Sequence, residues 1–123
     1  MNTHLDHQGT TARNESMKLI VEKMKELNAE NLPTLLIGDL NATLISNIFN
    51  NISAIMADAR LSSPDTDNKD SFNEFGTRGL KIDHIFYSSA HFTPVQYRTI
   101  DRTYAGVPFI SDHYPIKAIL QFK

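Results

Sequence analysis

Cysteine is absent from the 123 residues, which excludes disulfides, thiol catalysis and cysteine-ligated zinc. It does not indicate a compartment, because a cysteine-free chain survives in oxidising and reducing surroundings alike. An excess of one charge is also missing: 12 Lys+Arg stand against 14 Asp+Glu, with 5 His, for a net charge of −2. That balance leaves no strong nucleic-acid signature on the chain as a whole, although it leaves room for a local basic groove. Long apolar runs are lacking too. Stretches such as Leu35-Leu36-Ile37 fall far short of the roughly 20 residues that cross a bilayer, so no membrane span is expected. Met1 is followed at once by polar residues, and no secretory leader is expected there. Repeats, low-complexity tracts and linkers are missing as well. What remains, 41% hydrophobic and 21% charged residues, is the composition of one folded domain, 1–123, large enough for a single core.

Periodicity gives an α/β (α+β) order of elements. Residues 1–7 read as the end of a strand. Thr10 and Thr11 are candidate N-caps for a helix over 12–27, whose Met17, Ile20, Val21, Met24 and Leu27 form one apolar stripe. Thr34–Ile37 is a short continuous apolar run, the pattern of a strand covered on both faces, and it breaks at Gly38-Asp39. Leu44–Ile55 reads as a shorter helix with Ile45, Ile48, Phe49 and Ile52 on one face, and 62–70 as a polar loop. Lys81–Tyr87 and Phe92–Ile100 read as strands, and Ile116–Phe122 as a closing strand.

Four short stretches carry chemistry. Gly38-Asp39-Leu40-Asn41 places a carboxylate and an amide just beyond a buried strand, where ligands gather in layered α/β folds; an Asx turn explains the same residues without function. Asp83 stands inside the apolar segment 81–86, where an ionised carboxylate is costly unless paired. Alternation sends His84 to the opposite side. Ser111-Asp112-His113 sets an acid beside an imidazole ahead of the last strand. His4-Leu5-Asp6-His7 either delivers His4 to a site or forms the tail of a metallo-β-lactamase zinc pattern, in which Asn2 replaces the first histidine. A calcium loop opening at Asp65-x-Asp67 fails, because Asp70 and Gly76 replace the required Gly and Glu. Arg13, Arg78, Arg98 and Arg102 are candidate phosphate contacts, with surface solvation the plainer reading of each.

Taken in order, Asn2-Thr3-His4-Leu5, Gly38-Asp39-Leu40-Asn41, Ile82-Asp83-His84-Ile85-Phe86 and Ser111-Asp112-His113-Tyr114-Pro115 resemble the second half of the endonuclease/exonuclease/phosphatase superfamily, the deoxyribonuclease I-like fold. The resemblance implies the C-terminal half of a four-layer α/β/β/α sandwich, a mixed sheet flanked by helices, in a chain that reads as truncated. It implies a metal-dependent phosphoester hydrolase, phosphodiesterase, nuclease or phosphatase, weakly active or inactive as this chain. Its metal would be Mg²⁺, or Mn²⁺ in its place, held by Asp112 with Asp39 and Asn41. Asp39 would orient or deprotonate the attacking water, and Asn41 would hold that water or a phosphate oxygen. His113, oriented by Asp83, would contact the phosphate, with His4 as a second donor. The upstream Asn and metal-binding Glu of the family lie outside residues 1–123, so a non-catalytic fragment or interaction module is the alternative, and a zinc hydrolase a third. The chain is expected to hold about one sheet's share of strands. The face carrying Ile116, Ala118, Leu120 and Phe122 would then need cover, most simply from a second copy in a two-fold homodimer.

Overall fold

A computed structural model describes residues 1–123. Helix α1 (Thr10–Leu27) buries Met17, Val21 and Met24 at helical spacing. It begins two residues earlier than its stripe suggests, with Gly9 at the N-cap position and no side-chain cap. Leu27, in the last turn, is exposed rather than part of the stripe. Asn28 ends the helix: its Oδ1 accepts from Leu32 N–H at 2.7 Å and its Nδ2 donates to Thr34 Oγ1 at 2.8 Å. Those bonds turn the chain into β1 (Leu35–Asp39).

Six strands divide between two sheets of three, in the orders β1-β4-β2 and β3-β5-β6. The first sheet joins β1, β2 (Ala57–Asp58) and β4 (Asp83–Tyr87), all antiparallel. The second joins β3 (Asp65–Thr66), β5 (Phe92–Thr99) and β6 (Ile116–Phe122). Its β3–β5 pairing is parallel and its β5–β6 pairing antiparallel, with a bulge between Pro94 and Gln96. The mixed α/β class thus holds, but the expectation of one sheet's share does not: the strands are split. The split was hidden because β2 and β3 are two-residue strands inside segments that carry no period.

Two cores follow. Leu36 and Phe86 of the first sheet meet α1, Leu5 and the 40–56 segment in one cluster. Tyr87 on the first sheet's other face meets Phe92 and Tyr97 of the second sheet, and Ile85, Ile116, Ala118 and Leu120 pack against them. Three of the four residues expected to form a bare C-terminal face are therefore partly buried within the chain, so less of that face is bare than expected; Phe122 stays widely exposed. β1 is likewise not covered on both faces. Leu36 is fully buried, whereas Leu35 and Ile37 stay 37% and 38% exposed, on the inter-sheet side that the second cluster does not reach.

The expected helix 44–55 is instead a 3₁₀ turn, Asn47–Phe49, followed by further turns. Ser46, Asn47, Asn50 and Asn51 have short polar side chains that compete with helical backbone bonds. Ile48, Phe49 and Ile52 are nonetheless buried, while Ile45 is 94% exposed. Below this segment lies a buried polar knot. Asp58 caps the short helix α2 (Ala59–Ser62) through Leu61 N–H and sets its other oxygen 3.1 Å from His84 Nδ1. His84 Nε2 donates to Ala42 O at 2.8 Å, and Arg60 Nη2 lies 3.3 Å from Nδ1. His84 thus faces away from Asp83's side of the sheet, as alternation requires. No helix of the chain is long and apolar enough to cross a membrane.

Candidate active site

Register places the first carboxylates. Asp39 closes β1 and Asp83 opens β4, and the two are direct partners across the antiparallel pair, so their side chains share the inter-sheet face. Asp39 Oδ1 accepts from the Asn41 N–H at 2.8 Å. Asn41 itself lies in the left-handed region, at φ 48°, which asparagine tolerates. The Asn41 Nδ2 donates to Leu5 O at 2.8 Å, tying the loop to the first residues of the chain.

Those residues run parallel to β1. Thr3 N–H donates to Ile37 O at 3.0 Å and Leu5 N–H to Asp39 O at 2.9 Å. The approach is so close that a Cβ on Gly38, at φ +141°, would lie 1.8 Å from Thr3 O; glycine is required there. His4 consequently reaches Asp39, Nε2 to Oδ2 at 3.4 Å, from an exposed position.

His113 arrives from the segment before β6. Its Nδ1 lies 2.8 Å from Asp83 Oδ2, and its Nε2 lies 3.7 Å from Asp39 Oδ2. A carboxylate accepts only, so Nδ1 carries the proton and Nε2 faces Asp39 and the solvent. One carboxylate oxygen each from Asp39 and Asp83 and one His113 nitrogen lie within 4.8 Å of one another, a group able to hold a metal ion. Burial first, and the charge of Asp83 after it, push the Asp39 carboxyl above its ordinary range, against the Asn41 N–H, His113 and His4.

Asp39, Asn41, Asp83, His113 and His4 therefore converge at one end of the first sheet. Asp112 stands outside the 4.8 Å group, its side chain meeting only Ser111 Oγ at 3.5 Å. Its backbone O accepts from Asn73 N–H at 2.8 Å. The metallo-β-lactamase alternative gathers no ligand set: His4 turns to Asp39, while Asp6 accepts from Gln8 N–H and lies 3.8 Å from His7.

Sequence reasoning passed over 71–73. Ser71 is fully buried, and its Oγ accepts from Asp83 N–H at 3.2 Å. Phe72 bridges to His113 and lays its ring 5.0 Å from the imidazole. Asn73 donates through Nδ2 to Ser111 O at 3.3 Å. Together they pin the two segments that must meet. Ser-Phe-Asn carries no periodicity of its own, so only the partners reveal it.

Comparison with known proteins bears on the family and the fold. The family model described as "Endonuclease/Exonuclease/phosphatase family" matches residues 3–113. No curated protein matches the chain. Among solved structures, a mannosyl-6-phosphatase of Bacteroides thetaiotaomicron is similar at 34% identity and TM-score 0.88, over 98% of this chain and 50% of that one. An endonuclease/exonuclease/phosphatase family protein of the same organism is similar at 32% identity and TM-score 0.86, over 97% and 48%. A D. rerio TDP2 complexed with a single-strand DNA product shares the fold at 17% identity and TM-score 0.76, over 98% and 55%. The chain spans about half the length of these relatives. On the match over residues 3–113 and the two relatives above 30% identity, the chain belongs to the endonuclease/exonuclease/phosphatase family.

Proposed function

We propose that residues 1–123 supply one half of the active site of a metal-dependent phosphoester hydrolase. The observation that carries this reading is the Asp83–His113–Asp39 arrangement, an imidazole held by one carboxylate and aimed at a second. The donor set fits a divalent cation: Asp39 and Asp83 are opposed on neighbouring strands, and burial and mutual charge already disfavour ionised Asp39. Asp39, with Asp83 beside it, would hold Mg²⁺, or Mn²⁺ in its place, while Asp112, expected as a ligand, stands outside that group and would have to turn toward it; the ion would polarise a phosphoryl oxygen and stabilise charge on the leaving oxygen.

The side chains divide the remaining work. Asp39 Oδ2 orients the attacking water and takes its proton, while Oδ1 stays fixed by Asn41. His113 Nε2 and His4 face the phosphate, where charge grows on several oxygens at once. The new P–O bond forms as the bond to the leaving oxygen breaks, and that oxygen takes its proton from solvent. A phosphomonoester comes first as substrate, because the 34%-identical neighbour is a mannosyl-6-phosphatase. The slight net negative charge disfavours a long nucleic acid.

The relatives are about twice as long, so activity is expected of a chain of their length, and little turnover of the 123 residues alone. Phosphate release from p-nitrophenyl phosphate with Mg²⁺ is the test. Asp39→Asn or His113→Ala in the longer chain should lower kcat by 10²-fold or more, the usual range for general acid–base groups. Unchanged kcat in both would remove the reading.

A further inference from the structure

Beside His113 opens a pocket of about 100 Å³, lined among others by Arg102, Tyr104, Ile110, Ser111, His113 and Tyr114. We propose, resting on the phosphoesterase reading above, that Arg102 and Tyr104 form a subsite here for the ring of a monosaccharide phosphate, the alcohol part of the substrate.

The availability of the guanidinium is the first argument. Arg13 is engaged by Asp6 O and Thr10 Oγ1, Arg98 by Asp65, and Arg60 lies buried beside His84. The Arg102 and Arg78 side chains make no hydrogen bond or ion pair within the chain, and of these two only Arg102 shares the pocket with His113. The second argument is the rigidity of the wall. Tyr104 and Val107 exchange backbone bonds, Tyr104 N–H to Val107 O at 3.3 Å and Val107 N–H to Tyr104 O at 2.9 Å. Ala105 and Gly106 between them have φ 50° and 77°, the signature of a two-residue type I′ turn. Phe109 braces the base of this loop against Gly76, where a Cβ would lie 2.7 Å from its ring. Tyr104 is thus held out on a formed turn rather than on a loose strand of chain.

Size and chemistry choose the occupant. At about 100 Å³, smaller than the cavity of about 150 Å³ that encloses benzene, the pocket covers part of a single ring and leaves the rest in solvent. The wall mixes an apolar surface from Ile110 with a guanidinium and two phenol hydroxyls that have no partner in the chain. A sugar has the same two characters, a C–H face for the aromatic ring and hydroxyls for Arg102 and the phenols. His113 lines the same pocket, so the subsite lies beside the phosphate that the imidazole would contact.

Calorimetric titration of the family-length chain with mannose 6-phosphate, inorganic phosphate and a 5′-mononucleotide tests this. Wild type should bind the sugar phosphate at least tenfold more tightly than inorganic phosphate. Arg102→Ala and Tyr104→Ala should each erase most of that advantage, whereas Arg78→Ala should keep it. Equal losses for sugar phosphate and inorganic phosphate would make Arg102 a plain phosphate contact and overturn the subsite. Tighter binding of the nucleotide through Arg102, or no preference for the sugar in wild type, would overturn it as well. Sugar phosphate held through Arg102 but never hydrolysed would leave the subsite standing and remove the phosphoesterase reading. Hydrolysis with discrimination untouched in both variants would do the reverse.

Discussion

Replacing Gly38 by alanine should unseat the N-terminal segment and, with it, His4. The Cβ would sit 1.8 Å from Thr3 O and 2.9 Å from Thr3 C, both backbone atoms that no rotamer change can move aside. At φ +141° the alanine is also strained, by about 1–3 kcal/mol. The chain must then either keep that strain with the clash or release residues 1–5. Release breaks Thr3 N–H to Ile37 O, Leu5 N–H to Asp39 O and Ile37 N–H to Met1 O, at about 1 kcal/mol net each. It also exposes Leu5, now 5% accessible, at about 1.5–3 kcal/mol. The expected loss is about 4–6 kcal/mol, a large share of the 5–15 kcal/mol typical of a whole domain. Urea unfolding followed by circular dichroism measures it. Hydrogen exchange of the Leu5 amide, bonded to Asp39 O at 2.9 Å, reads the second consequence: its protection should be lost as the segment carrying His4 leaves Asp39. A variant within 1 kcal/mol of wild type, with the Leu5 amide still protected, would refute the close-approach argument.

Three further outcomes follow from buried groups. Asp39 has a folded pKa raised by burial, so its stabilising contribution is present below the unfolded value and is lost as pH rises through the folded one. Asp39→Asn should therefore be more stable than wild type at pH 7, with the gap closing below about pH 4; urea midpoints across pH check this, and a less stable variant at pH 7 would contradict it. His84→Ala removes the partner of Ala42 O, Asp58 and Arg60 in a dry region and should destabilise by about 3–5 kcal/mol, measured by thermal unfolding; a loss under 1 kcal/mol would show that water replaces the imidazole freely. Burial pushes the Tyr97 hydroxyl up to about 12, with Arg60 opposing, so the difference in phenolate absorbance between wild type and Tyr97→Phe should stay flat through pH 11 while the fold persists. A difference growing near pH 10 would mean that water reaches the Tyr97 hydroxyl.

Local pattern alone determined much of this protein. The apolar stripe of α1, the opposite sides taken by Asp83 and His84, and the bounds of β6 all follow from which residues alternate or recur, whereas β1 runs on through Gly38-Asp39, where a break was expected, because both pair with β4. Asp39, Asn41, Asp83 and His113 were legible as polar residues at strand ends, where burial would otherwise penalise them. Partners were not legible, because periodicity reports the face of an element and not what covers it. The register that sets Asp39 opposite Asp83, the division of strands between two sheets, and the covering of Ile116, Ala118 and Leu120 by Tyr87 and Tyr97 are all long-range choices. The segment 44–55 shows the same limit from the other side: its apolar spacing suits a helix, but its serine and asparagines prefer turns, and the core accepts Ile48, Phe49 and Ile52 from turns as well. Ser71, Phe72 and Asn73 became readable only once folding set them against Asp83, His113 and Ser111, since their importance lies in which distant segments they join.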